Sequence, residues 1–269
     1  MYPYELFWGL DLYSICLLVG VISSFVVFRI CADRRGFSPR MQNLVLFDAF
    51  ASVVGGYLGA VFFQAVYNYL GDPSKGFKIT RNTGATFMGG LITGVLLFFI
   101  VYFIAGHFLF KDREREHINR LWELVSIGAA AIAGAHAFGR IGCFFAGCCY
   151  GIETDSFLGV TFVGQHVKRL PVQLFESAFL FILCGVLLFL NLKKKDFIFA
   201  MPIYMVSYGI WRYLIEEFLR GDFTERGGKI FGVFWPSQFT SLLMFAGGIA
   251  LGAFLLVKIN GKRKKAADN

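Results

Sequence analysis

The sequence predicts an all-α integral membrane protein with seven transmembrane helices and a small extracytoplasmic hairpin or loop region. Of its 269 residues, 57% are hydrophobic and only 16% are charged, whereas soluble domains have about 45–50% apolar and about 25% charged residues. Seven apolar segments also reach the roughly 20 residues needed to cross a bilayer. They lie, within a single polytopic membrane domain of residues 1–269, near residues 10–30, 44–68, 86–110, 121–138, 173–192, 197–218 and 232–258.

The small residues of the fourth segment, GAAAIAGA (128–135), favour close packing against other helices. A polar connection, residues 139–172, is predicted to follow as an extracytoplasmic loop. Its stretch LGVTFVGQHVKRLP (158–171) is rich in strand formers, which predicts a small hairpin within that loop.

Lysine and arginine are concentrated in the loops after the first, third and fifth segments and in the C-terminal tail. Basic residues mark the cytoplasmic side of a membrane protein, so we expect the N-terminus outside and the C-terminus in the cytoplasm. The formal net charge of +8 is then interpreted as anchoring charge that faces anionic lipid. A nucleic-acid partner is not expected.

Two arginines stand out because charge at membrane depth is costly without an anionic partner or a water-filled cavity. Arg140 lies in GRIGCFFAGCCYG (139–151), and Arg212 lies in the sixth segment with Glu216 four residues later on the same helix face. One interpretation is a structural ion pair between helices. The other, which we favour, is a phosphate clamp, because one guanidinium group can donate hydrogen bonds to two phosphate oxygens at once. Arg220 is either a third member or an interfacial anchor.

Other polar residues near these arginines have several possible roles. His136, four residues before Arg140, is a member of a polar network, a base, or a core histidine bonded to a carbonyl. Glu176, at the edge of the fifth segment, needs a cationic partner. The glycines of 139–151 either let the backbone leave the helix and approach a ligand or allow tight helix packing.

Three cysteines, Cys143, Cys148 and Cys149, fall in the same stretch. Zinc sites usually have four ligands, and the spacing C-x₄-C-C without a second cluster makes zinc improbable. A nucleophilic thiol would need a nearby base, such as His136 or His166. Packing of small side chains is the simplest interpretation, so we expect no metal and no cofactor.

The stretch GRIGCFFAGCCYG resembles the signature of the prolipoprotein diacylglyceryl transferases. Other segments resemble that family in the same order along nearly the whole chain, namely LYSICLLVG (12–20), TFMGGLITG (86–94), LPVQLFES (170–177) and YGIWRYLIEEFLRGD (208–222). The resemblance implies seven spans, an extracytoplasmic active face and a bacterial plasma membrane. It also implies transfer of a diacylglyceryl group from phosphatidylglycerol to the lipobox cysteine thiol of a lipoprotein precursor, with release of glycerol phosphate.

The candidate catalytic residues are Arg140, Arg212, Glu216 and His136, of which the resemblance assigns the two arginines to the phosphate. The candidate substrate-binding residues are Tyr13, Met88, Gly89, Gly90, Gly139, Gly142, Cys143, Cys148, Gly151, Gln173, Glu176, Glu217 and Arg220. Tyr13 would line the site, and the glycines of the signature would shape it.

The sequence also departs from the family pattern. Met88 occupies the position of the family's histidine, while Cys143 and Cys148 replace an asparagine and a glutamate. An extra residue before Arg220 leaves either Glu216 or Glu217 as the family carboxylate. Two alternatives to lipoprotein modification therefore stay open. One is a paralogue that transfers from a similar lipid to a different acceptor, and the other is a non-catalytic protein that binds anionic lipid.

Overall fold

The structure, a computed structural model, describes residues 6, 10–80, 83–111, 115–220 and 232–267. The helices are α1 (Leu12–Arg35), α2 (Pro39–Gly71), α3 (Phe87–Leu109), α4 (Glu116–Asn119), α5 (Leu121–Ala146), α6 (Val172–Lys193), α7 (Ala200–Phe218) and α8 (Pro236–Ala267), with a 3₁₀ turn at Pro73–Lys75. Two short strands, β1 (Val160–Thr161) and β2 (Lys168–Arg169), lie between α5 and α6. The chain forms two compact units, Gly36–Leu121 and the combination of Met1–Arg35 with Trp122–Asn269.

Six helices in the described part of the chain are long and apolar enough to cross a membrane, which establishes a multi-pass membrane protein. They are α1, α2, α3 from Met88, α5, α6 and α8 as far as Gly261. The predicted sixth span corresponds to α7, a 19-residue helix. This helix is less apolar because it carries Arg212, Glu216 and Glu217 within its last two turns.

Helix α5 continues to Ala146, eight residues beyond the predicted end of the fourth span at residue 138. Gly147 ends the helix, since it has a positive φ of 71° and its N–H binds the carbonyl of Phe144 at 3.1 Å. The N–H of Cys148 binds the carbonyl of Cys143 at 3.2 Å. This pair of bonds is the Schellman motif that commonly ends a helix at glycine. Residues 139–146 are therefore helical, and the connection to α6 begins at 147.

The predicted hairpin is present in that connection. Strands β1 and β2 are antiparallel, with Val160 opposite Arg169 and Thr161 opposite Lys168. The N–H of Ile152 binds the carbonyl of Leu219 at 2.8 Å. The segment before the hairpin is thereby attached to the C-terminal end of α7.

The core of the larger unit is built on the small residues of α5. Ala129, Ala130, Ala133 and Ala137 are completely buried and belong to one cluster with side chains of α6 and α7. A Cβ added at Gly134 would lie 3.2 Å from the sulfur of Cys184 on α6. The close helix packing predicted from GAAAIAGA is thus found, and it brings the polar ends of α5, α6 and α7 together.

Candidate functional site

Helix α7 carries a column of polar side chains spaced four residues apart. Its members are Tyr204, Tyr208, Arg212, Glu216 and Arg220, the last of them just beyond the helix. Residues four apart lie on the same face of a helix, and the first four of these side chains are buried. Arg212 Nη2 and Arg220 Nη1 lie 3.0 Å and 3.3 Å from the same Glu216 oxygen, Oε2. The column therefore ends in two guanidinium groups that share one carboxylate.

Glu176 of α6 connects this column to α5. Its Oε1 accepts a hydrogen bond from the Tyr208 hydroxyl at 2.6 Å and lies 3.1 Å from Arg140 Nε. Its Oε2 accepts a hydrogen bond from Arg212 Nη1 at 3.1 Å. Glu176 is only 1% exposed, and a buried carboxylate needs such partners. Glu176 therefore has two of the cationic partners that its position led us to expect, Arg140 and Arg212.

The network has unused capacity to bind an anion. Arg140 Nε is close to Glu176, but its N–H does not point at the carboxylate, and this buried donor has no hydrogen-bond partner among the described residues. The buried Nε of Arg220 also lacks one. Within the described part of the chain, three guanidinium groups pair with two carboxylates, those of Glu176 and Glu216, which leaves one positive charge in excess. Buried donors without acceptors are uncommon in folded proteins, so both observations point to an anionic ligand.

Both ring nitrogens of His136 are engaged by tyrosines. Nδ1 lies 3.2 Å from the Tyr204 hydroxyl, and Nε2 lies 3.4 Å from the Tyr208 hydroxyl. Because Tyr208 donates its proton to Glu176, it accepts from His136, which places the imidazole proton on Nε2. This arrangement favours the network-member interpretation of His136 over that of a free base.

The structure distinguishes the two adjacent glutamates of α7. Glu216 is buried and pairs with Arg212 and Arg220. Glu217 instead accepts a hydrogen bond from the side-chain amide of Gln238 on α8 at 2.7 Å. Glu216 is therefore the carboxylate that belongs to the arginine network.

The Schellman motif folds the cysteine segment back over the end of α5. Cys148 is exposed, its carbonyl accepts a hydrogen bond from the Gln173 amide at 2.6 Å, and its sulfur lies 3.6 Å from the carbonyl oxygen of Cys143. The sulfur atoms of Cys143, Cys148 and Cys149 all lie within 4.8 Å of one another. Hydrogen bonds with Cys143 and Cys148 hold the pKa of the Cys149 thiol below its usual value.

The glycines of the signature permit close contacts with neighbouring elements. A Cβ at Gly142 would lie 3.0 Å from the Tyr13 ring, and one at Gly151 would lie 2.5 Å from the carbonyl oxygen of Leu219. At Gly139 the nearest atom, in Leu17, is 3.8 Å away. Tyr13 thus packs against the signature helix, as its assignment to the site requires.

Three of the predicted binding residues lie in the compact unit Gly36–Leu121. Met88 is exposed at the start of α3. A Cβ at Gly89 would strike the ring of Phe63, and one at Gly90 would lie 3.1 Å from the Cβ of Ala60. Both glycines therefore serve the packing of α3 on α2 within that unit, and any role of Met88, Gly89 and Gly90 with substrate stays a prediction.

Sequence reasoning missed Tyr204 and Tyr208, which place hydroxyl groups beside His136 and Glu176. Their spacing from Arg212 and Glu216 was the available signal, since polar residues at every fourth position form one face of a helix. The surrounding aromatic residues of α7 obscured that pattern, because tyrosine is also common in apolar packing.

Comparison with known proteins identifies the family. The model of prolipoprotein diacylglyceryl transferase matches residues 5–254. Phosphatidylglycerol–prolipoprotein diacylglyceryl transferase 2 of Clostridium perfringens is 33% identical over 264 residues, covering 95% of this chain and 95% of the relative. The transferase of Clostridium tetani is 28% identical, with 91% and 94% covered, and that of Francisella tularensis subsp. novicida is 28% identical, with 98% and 92% covered. With its arginine network and its cysteine-bearing signature helix, the chain belongs to the prolipoprotein diacylglyceryl transferase family.

Proposed function

We propose that this protein transfers the diacylglyceryl group of phosphatidylglycerol to the lipobox cysteine thiol of a lipoprotein precursor and releases glycerol phosphate. The names of its relatives support this substrate pair. The observation that carries the proposal is the excess guanidinium charge around Glu176 and Glu216 among the described residues, with donors on Arg140 and Arg220 that find no acceptor there. A phosphodiester carries one negative charge and several acceptor oxygens, which complements this network.

The reaction forms a carbon–sulfur bond and breaks a carbon–oxygen bond. The acceptor thiolate attacks the diacylglyceryl carbon next to the phosphate, and the electron pair of the broken bond stays on the phosphate oxygen. The leaving phosphate thereby changes from one negative charge towards two. Arg140 and Arg212 would stabilise this growing charge, which is how preorganised donors lower a barrier.

The thiol of the acceptor cysteine must lose its proton before it attacks, and its own acidity allows this. An ordinary cysteine has a pKa of about 8.5, so a few per cent is thiolate at neutral pH. His136 has both nitrogens bonded to tyrosines, and Met88 cannot accept a proton. We therefore assign His136 and Glu216 to the positioning of the arginines and leave the acceptor to supply its own thiolate.

The remaining predicted residues would shape the lipid site. Tyr13 packs against Gly142, and Gly151 lies against the end of α7. Gln173 holds the carbonyl of Cys148. These contacts would position the segment that follows α5 beside the phosphate.

We further propose that α7 is the seventh span, that the N-terminus lies outside and that the C-terminus lies in the cytoplasm of a bacterial plasma membrane. The distribution of basic residues supports this orientation. It would place the arginine network on the extracytoplasmic side, where lipoprotein precursors present their lipobox.

The test is incubation of the purified protein, in vesicles with headgroup-labelled phosphatidylglycerol, with a lipobox peptide and with its cysteine-to-serine counterpart. We expect release of labelled glycerol phosphate and a thioether on the cysteine peptide alone. Lipid consumption without modification of the cysteine peptide would indicate a paralogue with another acceptor. Lipid binding without any turnover would show a non-catalytic lipid-binding protein.

A further inference from the structure

Three thiols converge at the C-terminal end of α5. The Schellman motif at Gly147 turns the chain back so that Cys148 lies over Cys143. Cys149 then adopts a positive φ of 63°, which is uncommon for a residue other than glycine. As a result the three sulfur atoms lie within 4.8 Å of one another.

We propose that Cys143, Cys148 and Cys149 form a three-thiolate site that binds one soft metal ion of low coordination number, Cu(I). This site is additional to the proposed transferase activity and does not depend on it.

The ligand set selects a soft ion. Thiolates favour Cu(I) and zinc, whereas magnesium and calcium prefer oxygen ligands. Structural zinc is almost always bound by four ligands. In the part of the chain that the structure describes, no fourth histidine, cysteine or carboxylate ligand atom joins the three sulfurs. Three ligands suit an ion that is satisfied by trigonal coordination, and the cysteine spacing that disfavours zinc does not disfavour it.

The spacing of the sulfurs also suits one ion. With metal–sulfur bonds of about 2.3 Å, the length in zinc thiolates, three sulfurs around a trigonal ion are about 4.0 Å apart. The sulfurs therefore need to approach by less than about 1 Å from their limit of 4.8 Å. Side-chain rotation supplies a movement of that size without a change in the backbone.

The backbone that carries the thiols is held on two sides. Cys148 bonds to Cys143 through its backbone N–H, and its carbonyl is fixed by the amide of Gln173 on α6. Cys148 is exposed while Cys143 and Cys149 are half-buried, so an ion can reach the site from the surface. Cys143 lies three residues after Arg140, which puts the metal site next to the arginine network.

Binding needs no redox partner. Each cysteine loses its thiol proton to the buffer, and each sulfur donates an electron pair to the ion. Cu(I) is neither oxidised nor reduced in this exchange.

The test uses the full chain in detergent, reduced and kept without oxygen, and titrates it with Cu(I) held by a chromophoric chelator. We expect one tightly bound Cu(I) per chain, with three sulfur neighbours at about 2.3 Å by X-ray absorption. Cys148→Ser and Cys149→Ser should each weaken binding at least tenfold. Cys184→Ser is the matched control, because Cys184 lies on α6 and bonds to the carbonyl of Ala130 instead, and it should bind as the parent does.

Thermal unfolding of each variant without metal separates loss of the site from loss of the fold. A Cys149→Ser variant that melts like the parent without Cu(I), yet is not stabilised by Cu(I), supports the proposal. Equal affinities in Cys148→Ser, Cys149→Ser and Cys184→Ser would overturn it. So would a preference for zinc over Cu(I), or an X-ray absorption spectrum with fewer than three sulfur neighbours.

Discussion

The Glu176 carboxylate lies between two guanidinium groups, with one oxygen 3.1 Å from Arg140 and the other 3.1 Å from Arg212. Each arginine belongs to a different helix, so a single buried carboxylate sets the distance between them. The arrangement is an ion pair between helices and a candidate phosphate site at once. The two interpretations of these arginines from the sequence are therefore compatible.

Replacing either arginine by lysine tests whether geometry matters beyond charge. We expect Arg140→Lys and Arg212→Lys each to lower turnover of phosphatidylglycerol by about 100-fold, since lysine lacks the planar fork of donors. Arg29→Lys is the control, because Arg29 is an exposed partner of Asp33 on α1. Turnover is measured as release of labelled glycerol phosphate. Activity of Arg140→Lys close to that of the parent would mean that only charge is needed.

The two neighbouring glutamates of α7 form a matched pair of variants. Glu216→Gln removes the carboxylate shared by Arg212 and Arg220, so we expect a loss of at least about tenfold in turnover, equal to about 1.4 kcal/mol. Glu217→Gln loses only the charge opposite the Gln238 amide and should cost much less. The comparison is made on initial rates at equal protein concentration. A larger loss in Glu217→Gln would place the family carboxylate one residue later.

Two glycines of the signature should differ in their tolerance of a methyl group. Gly142→Ala places a Cβ 3.0 Å from the Tyr13 ring and 3.3 Å from its carbonyl oxygen, so we expect destabilisation of about 1–3 kcal/mol. Gly139→Ala meets only Leu17 at 3.8 Å and should be nearly neutral. Thermal unfolding in detergent measures both. Equal melting temperatures would contradict the close contact between α1 and α5.

The start of α1 should carry a pH-dependent cap. Asp11 Oδ1 accepts the N–H of Ser14 at 2.8 Å, and the hydrogen bonds from Ser14 lower the pKa of the Asp11 carboxyl. A lowered pKa contributes stability that is present above the unfolded value of about 3.9 and lost as the pH falls through the folded value. Asp11→Asn keeps a capping oxygen but does not titrate. In melting curves from pH 7 to pH 3, the melting temperature of the parent should exceed that of this variant at neutral pH and lose this excess below about pH 4. A constant difference would contradict the capping role.

The orientation is tested by labelling cysteines in intact cells with a reagent that does not cross membranes. The exposed Cys148 should react from outside. A cysteine introduced by Lys262→Cys in a Cys148→Ser background should react only after permeabilisation, because the basic tail is predicted to be cytoplasmic. Labelling of that cysteine in intact cells would reverse the assigned topology.

The sequence predicted the helices well because apolar runs of membrane length have few alternatives in a bilayer. The helix boundaries were harder to predict: the fourth span was expected to end at residue 138, whereas α5 continues to Ala146. Gly139 and Gly142 suggested a break, but both are helical, and of the glycines at 139, 142 and 147 it is Gly147 that has a positive φ. A glycine that packs and a glycine that ends a helix look alike in one sequence, since the difference depends on a neighbouring element such as α1.

The arginines and Glu176 could be predicted because charge in an apolar run demands a partner. Which arginine pairs with which carboxylate could not be predicted, because this depends on how α5, α6 and α7 are rotated about their axes. The assignment of Glu216 rather than Glu217 to the network is such a case. The approach of three sulfurs was also hidden, because it requires a positive φ at both Gly147 and Cys149, on either side of Cys148.

The polar column of α7 has a consequence for how the protein is made. An arginine at the centre of a helix costs about 2.5–3.5 kcal/mol on insertion by the translocon, and α7, only 19 residues long, carries Arg212 and two glutamates in its last two turns. Alone it is a poor candidate for release into lipid. Glu176 on α6 pairs with Arg212, and the amide of Gln238 on α8 donates a hydrogen bond to Glu217. Insertion of α7 as the proposed seventh span would therefore depend on helices synthesised before and after it. During synthesis we therefore expect α7 to be retained beside α6 until α8 has been made.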